Sequence, residues 1–298
     1  MQQLSALPFL RYRYLAAFFS VSLLLVSIIS FFFKGFYYGV DFAGGTVIQI
    51  KFDKQIKISS LRQSLDKTSL QSADIIHFGE DGSNEFLITL SGDKKGASNP
   101  TKLTEELKKA IHTASSDQYS IRRVESVGPK VGKVLKEKAI YAALYALLGI
   151  LVYVWFRFQF SFGIGAILAL FHDVIICLGV LSLFSKEINL TTVASILTIV
   201  GYSLNDTIVI FDRIRESKQK QLFNNIKDTI NYSITSNLRR TILTSLTTLF
   251  VVLSLYFLGG DLIKDFGFIL TLGVIVGTYS SVFIASPVLL FFDKKRLK

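Results

Sequence analysis

Of 298 residues only one is cysteine and three are histidine. The lone Cys177 lies inside an apolar run, so no internal disulfide can form and no cysteine-based metal site exists; an exported domain without disulfides suits a bacterial envelope. Also missing are the arrangements that mark common catalysts: no Ser-His-Asp set, HExxH, P-loop or GxGxxG is present. Neither a metal nor a cofactor is therefore expected. Acidic residues are few, 22 against 33 lysines and arginines, and long stretches carry no charge at all.

Those stretches are apolar. Half of the chain is hydrophobic and its mean hydropathy is +0.46, with long apolar runs alternating with polar segments, which is the pattern of a membrane protein. A net charge of +11 raises nucleic-acid binding, but the lysines and arginines gather in segments on one side of the apolar runs. The positive-inside bias accounts for that, and no nucleic-acid partner is expected.

The first run, residues 14–33, follows Arg11 and Arg13 and at about 1.5 Å per residue reaches roughly 30 Å, enough to span a hydrocarbon core. It ends in Phe31, Phe32, Phe33 and Lys34 without a small-x-small cleavage site, so it reads as an uncleaved helix. Further runs at 139–156, 158–185, 188–211, 241–258 and 266–292 bring the expected transmembrane helices to six. An even number places both termini, residues 1–13 and 293–298, on the same side. Arg157, Arg213, Arg215, Lys218, Lys220, Lys227, Arg239, Arg240 and the Lys294–Lys298 cluster fall on the side of Arg11 and Arg13, whereas the opposite short loops hold only Lys186 and Lys264. The basic side is the cytoplasmic one, and residues 34–138 are periplasmic.

This polar stretch has its own pattern. Thr46 to Phe52 alternates like a half-buried strand, and Ser60 with Gln63 offers a capping box for a short helix through Lys67. Ala73 to Gly79 and Glu85 to Ser91 read as strands joined by a turn at Glu80-Asp81-Gly82-Ser83. Asn99 and Pro100 open a helix through Ala114, and Tyr119 to Val127 returns as a strand. The order is β-α-β-β-α-β, a ferredoxin-like α+β domain. The expected fold is thus an α-helical integral membrane protein with one periplasmic ferredoxin-like domain.

Ionisable groups inside hydrocarbon cost about 2.5 to 3.5 kcal/mol on insertion scales, so each needs a partner, water or a role. Asp206 lies five residues or so before the charged helix end at Asp212, roughly 8 Å inside the boundary, and a long arginine, Arg239 or Arg240, can snorkel to it from the next helix. One reading is a proton site in which burial and a guanidinium compete for the carboxyl. The other is a permanent Asp–Arg pair, or hydrogen bonds from Asn205 and Thr207, that locks helices. His172 and Asp173, near the middle of the third run, either extend a relay or hydrogen-bond a neighbouring helix. Two membrane aspartates also raise an intramembrane aspartyl protease, but Asp173 is central and Asp206 near the cytoplasmic face. Gly273 and Gly277 form a GxxxG face for close packing or sliding, and Ser280, Ser281 and Ser286 are able to bond across helices.

Five segments together resemble the SecD/SecF family, and within it the SecF branch: GVDFAGGT from Gly39, VGPKVG from Val127, GYSLNDTIVIFDRIRE from Gly201, SNLRRTILTSLTTL from Ser236 and GTYSSVFIASP from Gly277. Their order and their placement relative to six runs carry the resemblance over nearly the whole chain. It implies a non-enzymatic relative of the resistance-nodulation-division transporters in the bacterial inner membrane, working with SecD beside the SecYEG channel, with YajC as a further partner. The pair would use the proton-motive force to draw preproteins outward through a lipid-embedded unit. It also implies proton transfer at Asp206 and Arg240, with Arg239 an added basic neighbour, and matches His172 and Asp173 to the family's HD pair. A hinge or packing role falls to Gly39, Gly44, Gly45, Gly128 and Gly132, whose backbone freedom suits either. Rival readings are a proton-driven exporter of lipids or small molecules, for which about a hundred outer residues make too small a substrate cavity, and a passive scaffold.

The topology is directly testable. In a Cys177→Ser background, single cysteines at Gly82 and Lys218 should label from opposite sides of the membrane; labelling of both by an impermeant reagent on intact spheroplasts would overturn the assignment.

Overall fold

The computed structural model describes residues 6–66, 68, 70–71, 73–78, 84–91, 100–114, 118–157 and 160–293. A 3-10 turn at Phe9–Tyr12 runs into α1 (Arg13–Phe33), followed by β1 (Tyr37–Tyr38), α2 (Val40–Ala43), β2 (Gly45–Phe52) and α3 (Ile58–Leu65). Next come β3 (Asp74–Phe78), β4 (Glu85–Ser91), α4 (Pro100–Ala114), β5 (Tyr119–Val127), α5 (Pro129–Arg157) and α6 (Phe160–Leu183). The chain continues through β6 (Glu187–Ile188), α7 (Leu190–Gln219), α8 (Ile226–Leu258), α9 (Gly260–Ser280), a π-helical turn at Ser281–Ala285 and α10 (Ser286–Asp293). Two compact units result, one of Tyr38–Ala142 with Glu187–Leu190, the other of Met1–Tyr37, Ala143–Lys186 and Thr191–Lys298.

The first unit is built on a four-stranded antiparallel sheet in the order β3-β4-β2-β5. Alternation in β2 decides which face is buried: Ile48, Ile50 and Phe52 are nearly inaccessible, while Val47, Gln49 and Lys51 are only half-buried. Phe86, Ile88 and Leu90 of β4 complete the same face, and Leu61 and Leu65 of α3 with Leu103, Leu107 and Ile111 of α4 cover it. The register of β2 on β5 slips between Gln49 and Ile50, so Arg122 is the extra residue of a bulge. Here the capping-box expectation is corrected. Helix α3 starts at Ile58 with Lys57 at its N-cap and no side-chain cap, because Leu61 and Leu65 must face the sheet and Ser60 already lies in the first turn. Lys67, the turn from Glu80 to Ser83 and Asn99 lie outside the described residues; α4 begins at Pro100, a residue preorganised for a first helical position.

Among the described residues six helical segments are long and apolar enough to cross a membrane, and this is a multi-pass membrane protein. They run past the apolar stretches that mark them: the fifth, α8, begins at Ile226 with the Asn225 side chain accepting from the Lys227 N–H at 3.0 Å, well before the apolar run at Thr241. In the second unit α6 is central, and twelve of its residues are buried, whereas α5 and α8 turn side chains such as Leu148, Phe250 and Phe257 outward. Outward apolar side chains are natural for helices whose surroundings are hydrocarbon or another apolar helix. Small residues set the close approaches. A Cβ at Gly179 of α6 would stand 2.7 Å from the Ser27 Cα of α1, and one at Gly165 would stand 2.9 Å from the Ala285 carbonyl oxygen of the π turn.

Glu85 carries a charge-linked part of the sheet unit's stability. Partial burial pushes its carboxyl up, but the Gln49 amide at 2.9 Å, Lys51 at 3.2 Å and the charge of Arg122 outweigh that and hold it below the ordinary range. A depressed folded value contributes stability that is present above the unfolded value of about 4.3 and is lost as pH falls through the folded one. Protease susceptibility of this unit in the intact chain should therefore rise on acidification, and less steeply in Glu85→Gln. Leu107→Ala, at a fully buried position, should raise it at neutral pH by removing about 2 to 5 kcal/mol.

Candidate functional site

Polar side chains buried in the helical unit concentrate where α6, α7 and α9 meet. Asp173 is 1% exposed. Its Oδ2 accepts the Ser203 hydroxyl of α7 at 2.5 Å and the Ser280 hydroxyl of α9 at 2.7 Å, and its Oδ1 lies 2.9 Å from His172 Nδ1. A carboxylate with three hydrogen bonds has most of its lost hydration replaced. His172 in turn stacks on Tyr279, ring centroids 6.2 Å apart. The Tyr279 hydroxyl donates to the Ala16 carbonyl of α1 at 2.8 Å, and since its one proton is used there, Ser20 Oγ donates to it at 3.0 Å. Four helices are thus joined through one polar cluster.

The helix backbones come close enough for these bonds because of the GxxxG face. A Cβ at Gly277 would stand 3.0 Å from Ser203 Cβ, and one at Gly273 would overlap the Ile199 side chain. Packing, not an open surface, is what these two glycines provide here. Of the three serines beyond them only Ser280 bonds another helix. Ser281 donates to Thr278 O at 2.9 Å and Ser286 to Ser281 O at 2.9 Å, the second across the wider π turn that begins directly after Ser280. π turns of this kind recur at functional sites.

Asp206 lies on α7, one turn beyond Ser203, and is 4% exposed. Its Oδ2 is buried with no hydrogen-bond partner. Among the described residues no ion pair joins it to Arg239 or Arg240, both exposed on α8, although the Arg240 guanidinium acts on it through space. Neither flanking residue bonds it: Thr207 donates to the Ser203 carbonyl of its own helix at 3.2 Å, as hydroxyls in apolar helices commonly do, and Asn205 is exposed on the other side. Asp173 and Asp206 do not hydrogen-bond each other, so the paired carboxylates of an aspartyl protease are not assembled.

At its basic end α7 carries a second charged group. Asp212 accepts from Arg157 at 3.0 and 3.1 Å and pairs with Arg215 at 3.1 Å, while Arg213 bonds Glu216, Tyr232 and Ser236. Arg157, Asp212, Arg213, Arg215, Glu216 and Ser236 line an open cleft of 540 Å³.

The glycines of the sheet unit separate into packed and open positions. Gly44 has φ +73° and a Cβ there would stand 2.8 Å from Pro129 Cα; one at Gly132 would stand 3.0 Å from Gly44 N. Gly39 N–H bonds Ile188 O at 3.0 Å, and Asp41 accepts from Leu190 N–H at 3.0 Å. Gly45 has φ +136°, and around Gly128 there is open space. At Gly39, Gly44 and Gly132 a Cβ would stand 3.2, 2.8 and 3.0 Å from its nearest neighbour, a crowding that spacing alone does not reveal.

The family described as "Protein export membrane protein SecD/SecF, C-terminal" matches residues 106–295, and "SecD/SecF GG Motif" matches residues 29–56. The chain belongs to the SecD/SecF family. Among curated relatives, the protein translocase subunit SecF of Desulfurispirillum indicum is 43% identical over 98% of this chain and 93% of its own length. That of Calditerrivibrio nitroreducens is 50% identical over 89% and 86%. The crystal structure of SecDF, a translocon-associated membrane protein from Thermus thermophilus, superposes with a TM-score of 0.82 at 35% identity, covering 95% of this chain. This chain spans 38% of that longer SecDF chain.

The SecD/SecF C-terminal match contains every member of the polar cluster except Ala16 and Ser20. Reading the sequence alone brings His172, Asp173 and Ser280 forward but misses Ser203, Tyr279 and Ser20. A signal was available for Ser203, which stands three residues before Asp206 and so on the same side of its helix. Ser203→Ala and Ser280→Ala should each lower the thermal stability of the detergent-solubilised chain, by about 1 to 3 kcal/mol, because each strips a donor from a buried carboxylate. Ser281→Ala, which loses only a bond within its own helix, should lower it less.

Proposed function

We propose that this chain is a SecF-like subunit of the Sec protein translocase which, with SecD, uses the proton-motive force to promote late steps of preprotein export across the bacterial inner membrane. SecF relatives matching almost the whole chain support the translocase part of the reading, and the SecDF neighbour supports SecD as partner. In this reading both termini are cytoplasmic, residues 34–138 are periplasmic, and the βαββαβ order with its sheet order β3-β4-β2-β5 is a ferredoxin-like domain. SecYEG, YajC, the translocating preprotein and membrane lipid are its further partners. It performs no covalent chemistry. Gly128, with open space around it, is where the chain turns into α5 and is the hinge.

The observation that carries the proton reading is the Asp206 carboxylate, buried with an oxygen that has no partner among the described residues, while Arg240 is exposed on α8. Such a group is neutralised either by a proton or by the approach of a cation. A helix movement that brings Arg240 to Asp206 expels the proton, and withdrawal admits another. One proton crossing about 100 mV supplies roughly 2.3 kcal/mol, enough to bias one conformational step.

Export into inverted vesicles tests this. Asp206→Asn keeps size and most hydrogen bonding but cannot titrate, so it should assemble with SecD and lose the gradient-dependent part of export, as should Arg240→Met, while Asp206→Glu retains part of it. A wild-type gradient response in Asp206→Asn would refute the proton role and leave a passive scaffold.

A further inference from the structure

We infer that His172 is a second proton-binding site within the membrane, built entirely from this chain and separate from Asp206 and Arg240. The inference deepens the proton-coupled reading and rests on it for its purpose, though not for its chemistry. Three observations carry it. His172 is 4% exposed and its buried Nε2 has no partner among the described residues, an open lone pair or an open donor in a place where neither is tolerated for nothing. Its other nitrogen is committed, since Nδ1 lies 2.9 Å from Asp173 Oδ1. And Asp173 Oδ2 already accepts two hydroxyl protons, from Ser203 and Ser280.

Ser203, and Ser280 whose one proton is shared between Asp173 Oδ2 at 2.7 Å and the Gly277 carbonyl at 3.1 Å, give the arrangement we assign to the resting cluster. Two donated hydroxyls stabilise an ionised carboxylate, an ionised carboxylate is acceptor-only, and the proton between Oδ1 and Nδ1 must therefore sit on the histidine. Neutral His172 with its proton on Nδ1 presents a bare Nε2. A proton delivered by water adds to that lone pair, giving an imidazolium beside a carboxylate, a net-neutral pair; release returns the proton to water and restores the Nδ1–H tautomer. No other bond is made or broken. Among the described residues, Asp173 bonds the ring and Tyr279 of α9 stacks on it; Cys177 on the same helix feels the charge of Asp173, Asp206 lies one turn beyond Ser203 on α7, and α1 contributes the Ser20 hydroxyl and Ala16 carbonyl that tie down Tyr279.

The ring is positioned to report on helix position. Its counter-charge is fixed to α7 and α9 through the serines, and Gly277 leaves no room between those helices for slack. Because Ser203 ties Asp173 to α7, the helix that carries Asp206 also holds the counter-charge of His172, so the two proton sites share one element.

The test is nitrogen NMR of the full chain in lipid bilayers with labelled histidine, recorded across about pH 5 to 8, the range in which an imidazole ordinarily titrates. The three rings, His77, His112 and His172, are assigned by the signal lost in His172→Asn, whose amide keeps a donor towards Asp173. The expected result is a His172 ring with its proton on Nδ1 at the upper end and both nitrogens protonated at the lower end, reversibly. In Asp173→Asn the Nδ1 resonance should lose its carboxylate hydrogen-bond shift. A His172 ring that stays neutral across the range, or one that carries its proton on Nε2, would overturn the inference. No export is measured in this experiment, so a failure of gradient-driven export in the wild type would count against the proton-coupled role and not against the site.

Discussion

A carboxylate that cannot reach water must be solvated by protein, and the helical unit is organised around doing so for Asp173. Two hydroxyls have to converge on it from α7 and α9, and the imidazole of the neighbouring His172 from its own helix, at distances of 2.5 to 2.9 Å. That requirement dictates much else. Side chains as short as serine reach across only if the helix backbones nearly touch, so the positions facing them must lack a Cβ, as Gly277 does opposite Ser203. The cluster and the small-residue face are one device. In hydrocarbon, where helices gain little from hiding apolar surface from one another, such packing and hydrogen bonding are the principal forces of association.

The π turn belongs to the same device. Its extra residue per turn widens the helix at Ser281–Ala285, immediately beyond Ser280, and the carbonyl of Ser281 is taken by the Ser286 hydroxyl at 2.9 Å. Gly165 of α6 lies against the Ala285 carbonyl of this turn, so α6 touches the last span both at the polar cluster and at the widened segment. A helix that changes its winding between two fixed contacts rotates the residues on one side relative to those on the other. Ser280 is thereby aimed at Asp173 while Val282 and Ala285 join the apolar core.

How legible this was depends on the range of the forces involved. The spans and the strands of the sheet unit follow from local periodicity: Tyr119 to Val127 and Glu85 to Ser91 occupy the residues expected, since alternation is enforced residue by residue. The start of α3 was not legible, because a capping box is a weak local preference and burial of Leu61 and Leu65 overrides it. The ends of α7 and α8 were not legible either; hydropathy reports where hydrocarbon stops, while Arg213, Glu216 and Tyr232 sustain helix beyond it. Asp206 was found from cost alone, but its partners could not be, because an unpaired carboxylate and a paired one look alike in sequence. Ser203 and Tyr279 are common residue types in apolar helices, and only the three-dimensional crossing makes them donors and neighbours.

The two buried aspartates differ in how they are solvated, and the difference bears on what each can do. Removing a hydrogen-bond donor from Asp173 leaves a buried carboxyl oxygen unsatisfied where four helices meet, so this group is tied to the packing. Asp206 has no such ties. Its carboxylate is bonded neither to its own helix nor to Arg240 in this chain, so its charge can change without first breaking a hydrogen bond. In the proposed proton-coupled function the carboxylate on α6 and the one on α7 divide the work: Ser203 holds one face of α7 to Asp173, while attraction between Asp206 and Arg240, present only in the ionised state, would pull on the turn beyond it. Protonating Asp206 would remove the pull and leave the anchor, and two helix positions of defined energy are the minimum that a proton-driven movement requires.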